Sequence, residues 1–221
     1  MSERPLLLIH GLWDTPRLFR RLEQTLLERN PNLQLFAPHL PHRLGATPIR
    51  QLAAQLDGLI QERFGPQTSV DLFGFSMGGV IARTWLQEWG GASRTRRFVC
   101  LGSPQQGTLT AQLIPRWPLA GIADMKIGSA LLRDLDAGRD RLDPLQCVSL
   151  YSPTDITVFP GWRAVLPQGP RQALPVLTHR QLIAHPQATA AVADVLLALS
   201  DNESHQGRCL WPAAYLWVGH V

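Results

Sequence analysis

Apolar and polar positions follow two different periods along the chain, from the first residues to about residue 199. Short continuous apolar runs, such as 6–9 and 69–73, are typical of buried strands. Between these runs, apolar residues recur every three or four positions, as in 49–60, which is the pattern of an amphipathic helix. This alternation predicts an α/β fold in which a mostly parallel central sheet carries helices on both faces.

Glycine and proline mark the ends of these segments. Thr15-Pro16 predicts the start of a helix, Gly65-Pro66 closes the helix after 49–60, and Gly90-Gly91 ends another. The predicted strands are 6–9, 34–37, 69–73, 97–101, 146–151 and 174–177, and a last helix covers 188–199. In such a sheet the ligand crevice lies at the carboxyl ends of the strands.

The segment between Pro104 and Pro144 interrupts the alternation. It contains a turn-rich stretch at 114–118 and a short helical pattern at 129–135. A long excursion inside a compact domain is usually functional, so we expect a cap or lid over the crevice. A structural insertion that packs elsewhere is the alternative. Five apolar residues are expected either to form the inner surface of the cap or to belong to the ordinary core: Leu113, Ile114, Trp117, Leu119 and Ile122.

Length and composition limit the number of domains. The chain has 221 residues, of which 45% are hydrophobic and 17% charged, enough for one large core. We expect one domain over residues 1–200, with the cap at about 104–144. The tail 201–221 combines aromatic residues with few charges and is either an extra packed segment or a disordered or interface-forming tail. The oligomeric state stays open.

Charge and apolar run lengths exclude several classes of partner. The formal net charge of +4 is modest, and the basic cluster at 94–97 precedes an apolar run, which indicates a solvated loop and no nucleic-acid site. The run at 6–9 is too short for a signal-peptide core, and no apolar stretch approaches the length of a membrane span. These features predict a cytoplasmic protein.

Cysteine usage agrees with that prediction. Cys100, Cys147 and Cys209 are odd in number, and the first two lie in strand-like apolar runs. They are therefore expected to be reduced, buried thiols. No Cys/His spacing suggests a zinc site.

The most informative motif is Gly74-Phe75-Ser76-Met77-Gly78, directly after the predicted strand 69–73 and before a helical pattern. In this context G-x-S-x-G is typical of a nucleophile elbow, a sharp strand-to-helix turn that exposes a serine hydroxyl above a sheet. The flanking glycines are required because side chains there would collide with the neighbouring strand and helix. We interpret Ser76 as a catalytic nucleophile.

A serine nucleophile needs a base to take its proton and an acid to orient that base. In a sheet with this elbow the order along the chain is Ser, acid, His. Asp155 directly follows the strand-like run 146–151, and His179 follows the last predicted strand. His185, just before Pro186, is the alternative base. The other candidate acids are Asp124, Asp134, Asp136, Asp140 and Asp143.

The reaction also requires two N–H donors for the developing oxyanion. The first is expected to be the backbone N–H of Met77, the residue after the nucleophile. The turn after the first strand, His10-Gly11-Leu12-Trp13, is expected to provide the second through the backbone N–H of Leu12. We interpret His10 as a buried structural residue that holds this turn.

These motifs resemble the α/β-hydrolase superfamily, in particular small bacterial lipases and esterases with little or no lid. The similarity covers about residues 5 to 199 and is carried by 8–11, 74–79, 101–108, 152–158 and 179–183. The segment 101–108 resembles the family's G-[ST]-P-x-x-G-T stretch, and 179–183 resembles the pattern of a catalytic histidine followed closely by an apolar pair. The insertion between Gly107 and Asp155 is longer than in the smallest lipases, and no glycine precedes His179.

The resemblance implies an α/β-hydrolase fold and a serine carboxylester hydrolase that forms an acyl-enzyme without metal or organic cofactor. A small-molecule or lipid acyl ester is the implied substrate, with transient contact to a lipid surface. An acyltransferase or thioesterase on the same scaffold is one alternative, because these reactions use the same machinery. A noncatalytic hydrolase fold that binds a ligand or protein is another.

Overall fold

The computed structural model describes residues 4–115 and 117–198. Within these ranges six strands form one parallel sheet in the order β2-β1-β3-β4-β5-β6. The strands are β1 (Leu6–Ile9), β2 (Leu35–Phe36), β3 (Val70–Phe75), β4 (Thr95–Leu101), β5 (Gln146–Tyr151) and β6 (Arg171–Ala173). The predicted parallel sheet is confirmed.

Helices connect the strands. They are α1 (Arg20–Arg29), α2 (Ile49–Phe64), α3 (Met77–Glu88), α4 (Leu109–Gln112), α5 (Ala120–Asp124), α6 (Ala130–Ala137), α7 (His179–Ala184) and α8 (Pro186–Ala198). Short 3-10 turns lie at Pro16–Phe19, Arg43–Gly45, Gly91–Arg94, Arg139–Leu142 and Gly161–Ala164. The predicted start at Thr15-Pro16 is therefore a 3-10 turn, which α1 follows.

The sheet separates two apolar cores, because successive side chains of a strand point to opposite faces. In β1, Leu7 and Ile9 pack in the core that α2, α3 and the helices α5 and α6 cover. Leu6 and Leu8 pack in the other core, under α1 and α8. Helices thus cover both faces, as expected. The carboxyl ends of all six described strands lie at one edge of the sheet, where the candidate site is found.

The position of the last strand was predicted wrongly. The apolar run 174–177 predicts the strand there, whereas β6 covers Arg171–Ala173 and contains no large apolar residue. Leu174 still donates its N–H to the Tyr151 carbonyl at 2.8 Å, but Pro175 has no N–H and ends the ladder. Leu174 and Val176 are buried in the core under α8 instead. The run is apolar because it packs against helices, and its residues lie outside the strand.

The interrupted segment 104–144 carries α4, α5 and α6. Helix α5 contacts α2, and α6 contacts α3, so this segment is packed on the domain beside the crevice. Among the described residues no helix is both long enough and apolar enough to cross a membrane. Cys100 and Cys147 are buried and free, as predicted. The predictions for Cys209 and for the tail 201–221 concern residues outside the described ranges.

Candidate active site

The turn between β3 and α3 presents Ser76 in a strained conformation. Ser76 has φ 55° and ψ −129°, a region that residues with a side chain rarely adopt. The turn is held on both sides, because the Ser76 N–H donates to the Leu101 carbonyl at 2.9 Å and the Ser76 carbonyl accepts from Gly79 N–H at 3.1 Å. The neighbouring strand and the first turn of α3 therefore maintain the strain at this serine.

The glycines of the motif are required by close backbone contacts. A Cβ at Gly74 would lie 2.4 Å from Gly79 Cα, and a Cβ at Gly78 would lie 2.0 Å from the Ile9 carbonyl oxygen. Both distances are far below van der Waals contact. The strand-turn-helix geometry predicted for 74–78 is present in the structure.

Asp155 and His179 are hydrogen-bonded to each other. His179 Nδ1 lies 2.6 Å from Asp155 Oδ2. The other carboxylate oxygen of Asp155 accepts the backbone N–H groups of Thr157 at 2.8 Å and Val158 at 3.1 Å. Asp155 is only 2% exposed. This carboxylate is thus fixed by its own loop and faces the imidazole with its remaining oxygen.

His179 is the first residue of α7 and is oriented by its surroundings. Thr178 caps α7 through its hydroxyl and forms a capping box with Gln181. The His179 ring stacks on Phe75 with 4.9 Å between ring centroids. Because Nδ1 faces a carboxylate, the neutral ring carries its proton there and leaves Nε2 as an acceptor. Nε2 is buried and has no partner among the described residues.

The alternative base and acids lie elsewhere. His185 ends α7 and accepts the Gln187 N–H on Nδ1 at 3.3 Å, outside the cavity that Ser76 and His179 line. Asp124 accepts the N–H of Ile49 at the start of α2. None of the other candidate acids lines the cavity: Asp134 pairs with Arg50, Asp136 pairs with Arg83, and Asp140 and Asp143 lie in or next to a 3-10 turn before β5.

The turn after β1 passes directly beside the serine. A Cβ at Gly11 would lie 2.8 Å from Ser76 Cβ, so this close approach requires glycine. Leu12 lines the cavity, and Met77 begins α3, where the first N–H groups of a helix have no partner inside the helix. Neither the Leu12 N–H nor the Met77 N–H bonds to another described residue.

His10 restrains this turn through the contacts of its two ring nitrogens. Its Nδ1 lies 3.0 Å from the Gly11 carbonyl oxygen, and its Nε2 accepts the Leu40 N–H at 3.1 Å. Burial lowers the pKa of His10 below its ordinary value, which keeps the ring neutral and able to accept. His10 does not line the cavity. These contacts agree with the structural interpretation of His10.

Ser76 and His179 open onto a cavity of about 490 Å³. Its apolar lining includes Ala111, Ile114, Ile122 and Met125 from the segment 104–144 and the loop residue Val158. Three threonines of the cavity lining form a connected group. Thr108 and Thr110 Oγ1 lie 2.9 Å apart, and both donate to the Thr157 carbonyl. At the rim, Arg180 pairs with Asp14 at 3.0 Å.

The two alternatives given for the five apolar residues of the segment 104–144 hold for three of them. Ile114 and Ile122 line the cavity, and Leu119 packs against the core. Leu113 and Trp117 are 86% and 85% exposed and do not line it. Sequence reasoning missed Met125 and Thr110 as cavity residues; Thr108 and Thr157 lie in the segments 101–108 and 152–158, but their place in the cavity was not predicted.

Two further cavities, of about 460 and 390 Å³, lie beside α6 and are lined largely by charged and polar side chains. Neither contains Ser76, Asp155 or His179. Over residues 4–115 and 117–198, no group of three or more His, Cys, Asp or Glu side chains is arranged to hold a metal ion.

Comparison with known proteins identifies a family and similar folds. The sequence profile of the alpha/beta hydrolase family matches residues 6–220. A search of curated proteins gives no match. Among solved structures, a mature lipase from Bacillus licheniformis superposes with a TM-score of 0.67 at 16% identity, covering 90% of this chain and 92% of the lipase.

Two other structures show the same fold. A carboxylesterase from the thaumarchaeon Nitrososphaera gargenis gives a TM-score of 0.66 at 15% identity, over 90% of this chain and 92% of its own. Lipase B from Aspergillus fumigatus gives 0.70 at 16% identity, over 88% of this chain. The chain spans 52% of that larger lipase. At these identities the similarity concerns the fold.

Proposed function

Because the chain belongs to the alpha/beta hydrolase family, we propose that it is a serine carboxylester hydrolase of the lipase or esterase type. The observation that carries the proposal is the 2.6 Å contact between His179 Nδ1 and Asp155 Oδ2, with the unpartnered Nε2 on a ring that lines the same cavity as Ser76. An orienting carboxylate, a base and an elbow serine are the parts that acyl transfer requires.

The proposed reaction begins when the Ser76 hydroxyl attacks the ester carbonyl carbon. His179 Nε2 takes the hydroxyl proton, and Asp155 stabilises the resulting imidazolium. The carbonyl oxygen becomes an oxyanion, which accepts hydrogen bonds from the backbone N–H groups of Leu12 and Met77. The carbon–oxygen bond to the alcohol then breaks, and His179 returns the proton to the leaving alcohol.

The second half of the reaction frees the enzyme. Water gives a proton to His179 and attacks the acyl-enzyme carbonyl, and the new tetrahedral intermediate uses the same two N–H donors. Collapse of this intermediate releases the carboxylic acid, and Ser76 regains its proton from His179. Each step uses only groups of the chain, the ester and water.

The cavity supports an acyl ester as the substrate. Its apolar wall, which includes Ala111, Ile122 and Met125, suits a hydrocarbon chain. Trp13 at the cavity rim and Leu113 in the cap are 67% and 86% exposed, which supports transient contact with a lipid surface. The proposal also includes one domain over 1–200 with a cap at 104–144, and a cytoplasmic location that suits the buried free thiols.

Ester hydrolysis with a serine probe tests the proposal. Wild type, Ser76→Ala and Ser93→Ala are assayed on p-nitrophenyl esters of increasing acyl length, and each is labelled with a fluorophosphonate. Ser93 is an exposed serine in the 3-10 turn before β4, so its variant controls for the loss of a hydroxyl. We expect turnover and labelling in the wild type and Ser93→Ala, and neither in Ser76→Ala.

The same assay separates the alternatives. A folded wild type without turnover or labelling would contradict the hydrolase proposal and favour a binding protein. Ser76-dependent turnover that yields mainly a transferred acyl product when an alcohol is added would favour an acyltransferase. The preferred acyl length distinguishes an esterase from a lipase.

A further inference from the structure

The turn 11–14, called the oxyanion turn below, donates a hydrogen bond to a side chain of a distant loop. The backbone N–H of Trp13 donates to His42 Nε2 at 3.1 Å. Trp13 has φ 62°, a value that is unfavourable for a residue with a large side chain. A strained residue of this kind persists only where its surroundings hold it, and the His42 contact is one such restraint.

The loop that carries His42 is itself well defined. The His42 carbonyl accepts the N–H groups of Gly45 at 2.8 Å and Thr47 at 3.2 Å. Arg43 and Leu44 both have positive φ, 46° and 57°, so the chain makes a tight left-handed turn directly after His42. The imidazole therefore projects from a rigid backbone, which makes it suitable as a fixed acceptor.

The same loop also contacts Leu12 from the other side. A Cβ at Gly45 would lie 3.3 Å from Leu12 Cδ1 and 2.7 Å from Ile122 Cγ1. Gly45 thus lies between the cap helix α5 and the Leu12 side chain. His42 binds the peptide group after Leu12, and Gly45 packs against the Leu12 side chain, so the loop restrains this residue at two points.

We propose that His42 is a positioning residue of the oxyanion hole, in which its neutral imidazole fixes the Leu12–Trp13 peptide and thereby the direction of the Leu12 N–H. This inference rests on the proposed function. Nε2 accepts the Trp13 N–H, so the ring proton is on Nδ1, which is buried without a partner among the described residues. The Leu12 N–H belongs to the preceding Gly11–Leu12 peptide, which shares the Leu12 Cα with the peptide that His42 holds. An oxyanion donor acts only when it is aimed at the developing charge, so a movement of the Leu12–Trp13 peptide that shifts this Cα lowers the rate.

Four variants test the proposal. His42→Leu removes the acceptor, His42→Gln retains one at about the reach of Nε2, and His42→Asn offers one that is too short for Trp13. His39→Leu is the matched control, because His39 lies in the same loop and stacks on His10 but makes no hydrogen bond to the oxyanion turn. The kcat and KM for a p-nitrophenyl ester are measured for each, together with thermal unfolding.

We expect His42→Leu to lower kcat by about 10- to 100-fold with KM changed by less than about threefold, because the lost restraint matters mainly in the transition state. His42→Gln is expected to recover kcat to within about threefold of wild type, while His39→Leu stays near wild type. If His42→Leu does not fold, an active His42→Gln beside an impaired, folded His42→Asn supports the same conclusion.

Two results would overturn it. Equal kcat in the folded His42→Leu and His39→Leu variants would show that the contact has no part in the reaction, and equal kcat in His42→Gln and His42→Asn would show that acceptor reach is irrelevant. Neither result touches the proposed function, which fails if the folded wild type shows no turnover and no labelling, or if its turnover does not depend on Ser76. In that case this inference fails with it.

Discussion

Gly78 is the position where one added methyl group should affect both the elbow and the oxyanion turn. It is the second residue of α3 and lies against the end of β1. A Cβ there would be 2.0 Å from the Ile9 carbonyl oxygen, 2.6 Å from the Ile9 carbonyl carbon and 2.7 Å from the His10 carbonyl oxygen. These are backbone atoms, so no side-chain rotation can relieve the contact.

The size of the effect follows from this geometry. Ordinary carbon contacts begin at about 3.5 Å, so Gly78→Ala requires α3 and β1 to separate by roughly 1.5 Å. Overpacking among side chains costs about 1–3 kcal/mol, and a backbone contact should cost at least about 3 kcal/mol. The helical preference of Ala over Gly offsets only about 1 kcal/mol or less. The melting temperature should therefore fall by at least about 4 °C.

The rate of ester hydrolysis by Gly78→Ala should fall as well. Movement of the β1 end displaces the oxyanion turn relative to Ser76, and displacements near 1 Å cost about 100-fold in rate. Urea unfolding followed by circular dichroism measures the loss of stability, and p-nitrophenyl ester hydrolysis measures the loss of turnover. The control variant is measured in the same two assays.

Gly58→Ala is the matched control, because Gly58 lies inside α2 and a Cβ there has nothing within 4 Å. This variant should raise the free energy of unfolding by about 0.5–1 kcal/mol and leave turnover unchanged. A Gly78→Ala protein as stable and active as Gly58→Ala would refute the argument that backbone proximity dictates glycine in the elbow.

Three further predictions concern the candidate site and the buried titratable groups. Asp155→Asn should lower ester kcat by about 10⁴-fold with little change in KM, because the amide favours the wrong tautomer of His179; near-normal kcat would contradict the assigned acid. Burial lowers the pKa of His10 from 6.5, so the unfolded state binds more protons just below pH 6.5. The free energy of unfolding, measured by urea at several pH values, should therefore fall as the pH drops through that range, by up to about 1.4 kcal/mol per unit, and less steeply in His10→Gln; the same dependence of this free energy on pH in the two proteins would refute this. Burial raises the pKa of the Cys100 thiol to about 11 and of the Cys147 thiol to about 12, so iodoacetamide at pH 8 should modify neither thiol before urea is added, as read by peptide mass spectrometry.

Local chemistry explains why much of the fold was predictable. The elbow glycines, the apolar strand before Ser76 and the helical pattern after it are all contiguous in sequence, so a short motif reports the turn. The same holds for β5, whose predicted bounds of 146–151 match Gln146–Tyr151. Asp155 follows that strand directly, and the topology of a parallel sheet brings such loops to one edge.

The last strand was mispredicted because apolar character does not distinguish strand pairing from packing under a helix. β6 pairs with β5 through backbone groups of Arg171–Ala173, whose side chains carry no apolar signal. In the neighbouring run 174–177, Leu174 and Val176 are apolar because they are buried in the core that α1 and α8 cover, together with residues of β1 and β3 from distant parts of the chain. Only the assembled sheet and helices separate these two causes.

The sequence indicated most of the strands, the elbow at Ser76 and a short set of candidate partners, because each depends on residues that are neighbours in the chain. It could rank Asp155 over other carboxylates and His179 over His185, but it could not bring them together. The 2.6 Å contact of His179 with Asp155 joins residues 24 positions apart, and the acceptor that His42 offers to Trp13 joins residues 29 positions apart. The walls of the cavity bring together residues from Leu12 to Arg180. Such contacts depend on how the loops at the sheet edge pack against one another, and only the tertiary structure decides that packing.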